Sequence, residues 1–335
     1  MDLQRNAERE TMKTVTALIN LSTILVCLAA TARSQQRESG TGLAERFRQI
    51  DKNGDGTIDD SERAAVRAVL QKRRQQPGTM TPSGRTDIVG NREVTEMQYP
   101  SSDERKISAV LSMPKGDGSF PCVVTIHGGQ GDRDFQYLRT MAAPNPISPT
   151  VTAFNEQPWA VLAISYRSGE GALFGMENED VFAGIRFAKT LPRIDAARVA
   201  VVGGSHGGHL ALRAAQTMGK EFLCVAVGSP WMTDPFAYMA GDPTQPPLSL
   251  VPEQAREALM ENGRRLMGGL TRRAGSEDKA KAIMREQSIE ANAERIVVPA
   301  LFITSLGDEQ APHVMVLPTI ERMKKAGRDV TTYTA

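Results

Sequence analysis

Cysteine, histidine and net charge are all in short supply: three cysteines, four histidines and a formal charge of +1 across 335 residues. The near balance of charge leaves no basic stripe of the kind that holds nucleic acid and no acidic surface, so no nucleic-acid partner is expected. Neither the cysteines nor the histidines have metal-ligand spacing. Cys122 and Cys224 sit in apolar, strand-like runs and read as buried free thiols, a disulfide being the alternative. Long apolar runs are also missing. Thr14 to Ala30 is short for a membrane span and is interrupted by Asn20, Ser22 and Thr23. With Lys13 before it and Ala30, Thr31 and Ala32 after it, the run has the layout of a signal peptide occupying residues 1–34. The expectation is an exported protein, periplasmic or extracellular, with no membrane contact after cleavage; an uncleaved anchor is the alternative, and Met12 is a candidate start.

The richest stretch is Arg198 to Leu212. An apolar run, Val199 to Val202, reads as a fully buried strand. Gly203, Gly204, Ser205, His206 and Gly207 follow, and a helix-compatible run begins at once. Gly-x-Ser-x-Gly between a strand and a helix is the pattern of a nucleophile elbow. The bare motif is weak by composition, and its flanks supply most of the weight. Such a turn lifts Ser205 out of the sheet beside a helix N-terminus. It also aims the His206 amide at a carbonyl under attack, as half of an oxyanion hole.

A second motif lies upstream, at Asp51-Lys-Asn-Gly-Asp-Gly-Thr-Ile-Asp-Asp-Ser-Glu62. Its spacing suits a hard cation that takes six to eight oxygens. Asp51, Asn53 and Asp55 offer side-chain oxygens, Thr57 a carbonyl, Asp59 a ligand or a held water, and Glu62 a bidentate carboxylate. Leu43, Phe47 and Ile50 form one helical face before the loop, and Val66, Val69 and Leu70 another after it. Residues 43–74 therefore resemble an EF-hand, which implies a small all-α unit binding Ca²⁺, and a structural clip rather than a sensor. No second loop is found. The flanks at 35–42 and 75–91 are polar and rich in Gly, Pro, Ser or Thr, and read as linkers.

From Arg92 onward strands alternate with helices. Val94–Tyr99, Ile107–Met113, Pro121–Ile126, Trp159–Ser165, Phe222–Val227, Ala300–Thr304 and Val330–Ala335 read as strands, and Glu179–Leu191 as a helix. That rhythm predicts a doubly wound, mostly parallel α/β sheet. An insertion at 241–292 breaks it with two helices, Pro252–Met267 and Glu277–Ile289. Trp231, Met232, Met239, Met260 and Met267 either line an acyl pocket or pack this insertion against the body.

Four stretches, Pro121–Gly129, Leu191–Val199, the elbow, and Val298–Asp308, together make residues 92–335 resemble an α/β-hydrolase of the prolyl-oligopeptidase or dienelactone-hydrolase type. The resemblance implies Ser205 as nucleophile and Asp308 as the acid that orients a histidine, with a helix-capping carboxylate as the bland reading of Asp308. It places the second oxyanion amide at Gly129, or at Gly128, beside that of His206. The catalytic histidine should follow one more strand, but the sequence stops at Ala335. His127 and His206 sit on backbone-critical loops, and His209 is expected to point away. Three readings stay open: a C-terminally incomplete copy, a non-catalytic hydrolase-fold protein, or His313 as a substitute base. The implied function is an exported serine hydrolase acting on small or oligomeric carboxylic esters, with calcium at the EF-hand and no cofactor for catalysis. A prolyl-oligopeptidase-type peptidase and a non-catalytic calcium-binding protein are the alternatives. Against the peptidase, no propeller-sized domain precedes the catalytic one.

Overall fold

The computed structural model describes residues 84–335, apart from 146–147, 170–171, 233, 235–236, 238, 240–247, 252 and 309–310. The signal-peptide run, the first linker and the EF-hand unit with Asp51, Asn53, Asp55, Thr57, Asp59 and Glu62 lie outside the described residues. Among those described, no helix is long and apolar enough to cross a membrane.

Nine strands form one sheet: β1 Thr86–Val89, β2 Arg92–Pro100, β3 Lys106–Pro114, β4 Phe120–Ile126, β5 Ala160–Ile164, β6 Ile194–Gly204, β7 Val225–Gly228, β8 Ala300–Thr304 and β9 Val330–Thr334. Their spatial order is β1-β2-β3-β5-β4-β6-β7-β8-β9. The first three run as an antiparallel meander, and β3 meets β5 antiparallel. From β5 to β9 every pairing is parallel. The central strands are apolar on both faces because helices cover both, which is why they read as continuous runs rather than alternations. One correction concerns the second linker. Thr86–Val89, assigned to it, pairs with Arg92–Thr95 as the first strand. Its exposed positions at the sheet edge give it no apolar signal.

Alternate residues divide the sheet into two core layers. On one face Val124, Ile126, Leu162, Val199, Val201, Val227 and Phe302 pack with α3 (Glu177–Ala188) and α4 (His206–Met218). On the other, Val123, Val161, Val202, Leu301 and Ile303 pack with Phe154 of α2 (Pro149–Glu156). Further along that same face, Val94, Val110 and Ala163 meet α1 (Phe135–Ala142). Burial of a full aliphatic side chain contributes about 1.5–3 kcal/mol, so these layers carry most of the stability.

Two buried charges knit the meander to the rest. Arg92 is 1 % exposed, and burial lowers its pKa to about 10. It donates to the carbonyls of Ser112, Asn155 and Trp159 rather than to a carboxylate. Asp180, fully buried on α3, accepts from the Arg167 backbone and guanidinium and from Ser101 Oγ. Arg167 also grips Asp103, whose carboxyl is held well below its ordinary range by that hydrogen bond. Cys122 and Cys224 are free thiols, as expected, and burial raises them to about 12 and about 11.

The sheet order reverses at β4, where β5 lies on one side and β6 on the other. In open α/β sheets the crevice at such a switch point, beyond the carboxyl ends of the strands, is where ligands bind. The loop after β4 and the turn after β6 meet there.

Candidate active site

Ser205 stands at the end of β6 with φ 51° and ψ −121°, a left-handed conformation that a residue with a side chain rarely adopts. Four backbone bonds hold it. Its amide donates to Gly228 O at 2.9 Å, and its carbonyl accepts from the amides of Gly208 (3.0 Å), His209 (3.1 Å) and Trp231 (3.2 Å). Such strain persists only where the surroundings over-determine it. Two glycines make the crossing of β6 and α4 possible. A Cβ on Gly203 would lie 2.2 Å from Gly207 O, and one on Gly207 would lie 2.3 Å from His127 O.

The loop His127-Gly128-Gly129 leaves β4, whose Ile126 is in register with Gly203. A side chain on Gly128 would come within 3.1 Å of Ser205 Cβ, so this loop faces the serine directly. The His206 amide opens α4, at the position where a helix supplies no acceptor of its own. Tyr166, just past the end of β5, donates its hydroxyl to the carbonyls of Gly129 at 2.8 Å and His127 at 3.2 Å. It thereby fixes the peptide planes of the loop. Sequence reasoning missed Tyr166; its position at the carboxyl end of a central strand was the available signal.

Asp308 lies in the turn after β8, where its Oδ1 accepts from the Ala311 amide at 2.9 Å. That contact closes a turn; among the described residues the next helices begin after Pro312 and Val316 without a side-chain cap from Asp308. β8 is two strands from β6, about 10 Å at ordinary strand spacing, so a group between them is needed to connect Asp308 with Ser205.

The four histidine rings have other partners. His127 stacks on Tyr166 at 4.5 Å, and burial lowers it to about 4. His206 Nε2 lies 3.0 Å from Oε2 of Glu177, a buried carboxylate whose Oε1 accepts from the Phe174 amide. His209 Nδ1 faces Trp231 O at 3.1 Å, and His313 Nδ1 faces Thr304 Oγ1 at 2.7 Å. Among the described residues no side chain hydrogen-bonds the Ser205 hydroxyl. The site thus brings together Ser205, Gly128, Gly129 and His206, while Asp308 and His313 follow β8, two strands from β6.

The insertion helices, α5 (Glu253–Ala274) and α6 (Glu277–Gln287), reach the site through Phe174, which packs with Leu270, Ala280 and Met284. The Phe174 ring meets that of His209 edge-on at 5.7 Å. Trp231 and Met267 join this cluster, and Met232 joins the main core. All three therefore make packing contacts. Met239 is exposed.

Burial pushes the His209 ring from 6.5 down to about 3, with His206 and Arg213 adding smaller effects of the same sign. As pH falls below the ordinary histidine value, the unfolded chain takes up this proton before the folded one does. The folded-state advantage of a neutral His209 is therefore complete above about 6.5 and is lost on acidification towards 3. At pH 4 the loss reaches up to about 3 kcal/mol. Calorimetric melting should show a falling Tm between pH 7 and pH 4, and His209→Phe should flatten that fall. An unchanged slope in the variant would mean that the ring is hydrated in the folded protein.

The family model described as BD-FAE matches residues 110–230, from β3 to just past β7. No curated protein sequence matches the chain. Among solved structures, acetyl xylan esterase 1 from Thermoanaerobacterium sp. superposes with a TM-score of 0.53 at 16 % identity, covering 80 % of this chain and 84 % of that one. An acylaminoacyl peptidase gives 0.54 at 16 %, covering 73 % of this chain and 37 % of that one. Puromycin hydrolase gives 0.52 at 21 %, with 72 % and 35 % covered. The chain spans little more than a third of the length of these last two proteins. At such identities the likeness establishes the fold: residues from β1 to β9 form an α/β-hydrolase sheet, with the extra strand β1 inside the expected linker.

Proposed function

We propose that this α/β-hydrolase-fold chain is an exported serine hydrolase that cleaves carboxylic esters through Ser205, with Ca²⁺ held by the EF-hand at residues 43–74. The observation that carries the reading is the strained, four-times-anchored Ser205 facing the His127–Gly129 loop. A hydroxyl there attacks an ester carbonyl. The negative charge that develops on the carbonyl oxygen falls beside the amides of His206 and of Gly129 or Gly128. The alcohol leaves with a proton, and water then releases the acid from the acyl-serine. Asp308 would orient the base. The base itself is the open position. His313 is committed to Thr304 through Nδ1. The main chain of Ala335 pairs with Thr304 and Leu306 at the carboxyl end of the parallel strands, the end at which Ser205 also stands.

An ester is proposed as the substrate and a peptide is kept as the rival, since the fold is shared by an acetyl xylan esterase and an acylaminoacyl peptidase alike. A second reading, a non-catalytic hydrolase-fold protein, draws on the absence, among the described residues, of a side-chain partner for the Ser205 hydroxyl. The test is turnover of p-nitrophenyl acetate against a peptide p-nitroanilide. The ester should be hydrolysed and the anilide left intact. The reverse preference would indicate a peptidase, and no turnover of either would favour the non-catalytic reading. Calcium titration by calorimetry should reveal one site, lost in Asp51→Ala; no heat from the unaltered protein would remove calcium from the proposal.

A further inference from the structure

Among the described residues Arg133 has no counter-ion at the mouth of this site, and we infer that it holds a carboxylate of the substrate. The inference rests on the hydrolase reading above and narrows its substrate class to esters that carry an anionic group. Arg133 follows the oxyanion loop by four residues, and its Nη2 lies 3.2 Å from the point where a Cβ on Gly129 would be. Its guanidinium carbon sits 4.5 Å over the Tyr137 ring, which fixes its plane. Its Nε is buried and has no hydrogen-bond partner. A buried donor left unsatisfied is costly, and each such group in a folded protein calls for an explanation.

The neighbouring carboxylates do not supply one. Asp132 is spent on Arg105 at 2.7 Å and on the amide and hydroxyl of Ser168 at 3.0 and 2.8 Å. Asp134 caps α1 by accepting from the Tyr137 amide at 2.8 Å. The chain therefore neutralises the outer side of this turn and leaves the guanidinium facing the oxyanion loop. Among the described residues Arg133 makes no ion pair, and its charge acts on His127 and Tyr166, both of which frame that loop. A planar fork of donors fits a carboxylate better than it fits a neutral carbonyl.

The experiment uses the full chain as Ser205→Ala, to prevent turnover, and measures by calorimetry the binding of monobenzyl succinate and of neutral benzyl butyrate. The anionic ester should bind about tenfold tighter or better, as one charge-assisted contact would give. Adding Arg133→Gln should bring the ratio to about one, and Arg133→Lys should leave an intermediate ratio, since it keeps the charge and loses the fork. Circular dichroism melting confirms that each variant is folded. Equal binding of both esters to the parent variant, or an equal loss of both on Arg133→Gln, overturns the inference. Fluorophosphonate labelling of the protein with Ser205 intact reports separately on the hydrolase reading, so the two can fail independently.

Discussion

With a base in place, ester hydrolysis should fall by about 10³-fold or more in Ser205→Ala, the scale expected when a nucleophile is removed and only binding and the oxyanion amides remain. The same position makes a second, opposite demand on stability. At φ 51° and ψ −121° the backbone of residue 205 carries strain that alanine shares with serine. Glycine adopts this conformation without a steric penalty, at the cost of a more flexible unfolded chain. Strain of this type is worth about 1–3 kcal/mol. Ser205→Gly should therefore be the more stable of the two inactive variants, by about 1 kcal/mol after the entropic offset. Urea denaturation of the pair measures this. If Ser205→Ala were as stable as Ser205→Gly, the elbow would be relaxed and the argument for a serine held in place by its surroundings would fail.

The largest effect on folding should come from Gly207→Ala. Its Cβ would meet His127 O at 2.3 Å and Ile126 O at 2.4 Å. Both contacts are backbone atoms of β4 and its loop, so no side chain can swing aside. Relief requires α4 to move off the sheet, which breaks the Ser205 carbonyl contacts as well. The expected loss is roughly 4 kcal/mol or more, the range reserved for overpacking without relaxation. Gly204→Ala is the internal control. Its Cβ finds nothing nearer than Gly228 O at 3.9 Å, so that variant should fold with near-normal stability. Equal tolerance of alanine at 204 and 207 would mean that β4 and α4 do not approach as closely as described.

The parts of this molecule that were legible in the sequence are those whose signal is local. β4, β6 and β8 announce themselves because burial on both faces forces continuous apolar runs. The elbow is legible because one turn geometry requires Gly203, Ser205 and Gly207 at fixed spacing. β1 was missed because Thr86–Val89 is short, exposed and bracketed by turn-forming residues; only its pairing with Arg92–Thr95 makes it a strand. α1 and α2 are eight residues each, too short to show a helical period among the prolines and asparagines around them. Tyr166, Glu177 and Arg133 belong to no motif. They reach the site from three different elements, and only the tertiary register of β4, β5 and β6 brings them together. Asp308 was located by the family resemblance of Val298–Asp308, which implies its place after β8 but not its contact with the Ala311 amide.

The central claim is that Ser205 is a nucleophile held proud of the sheet. Peptide mass spectrometry after treatment with a fluorophosphonate tests it most directly. A covalent adduct is expected on the peptide containing Ser205, with fluoride displaced, and none in Ser205→Ala. An unmodified Ser205 in folded protein, or an adduct that persists elsewhere in Ser205→Ala, would contradict it.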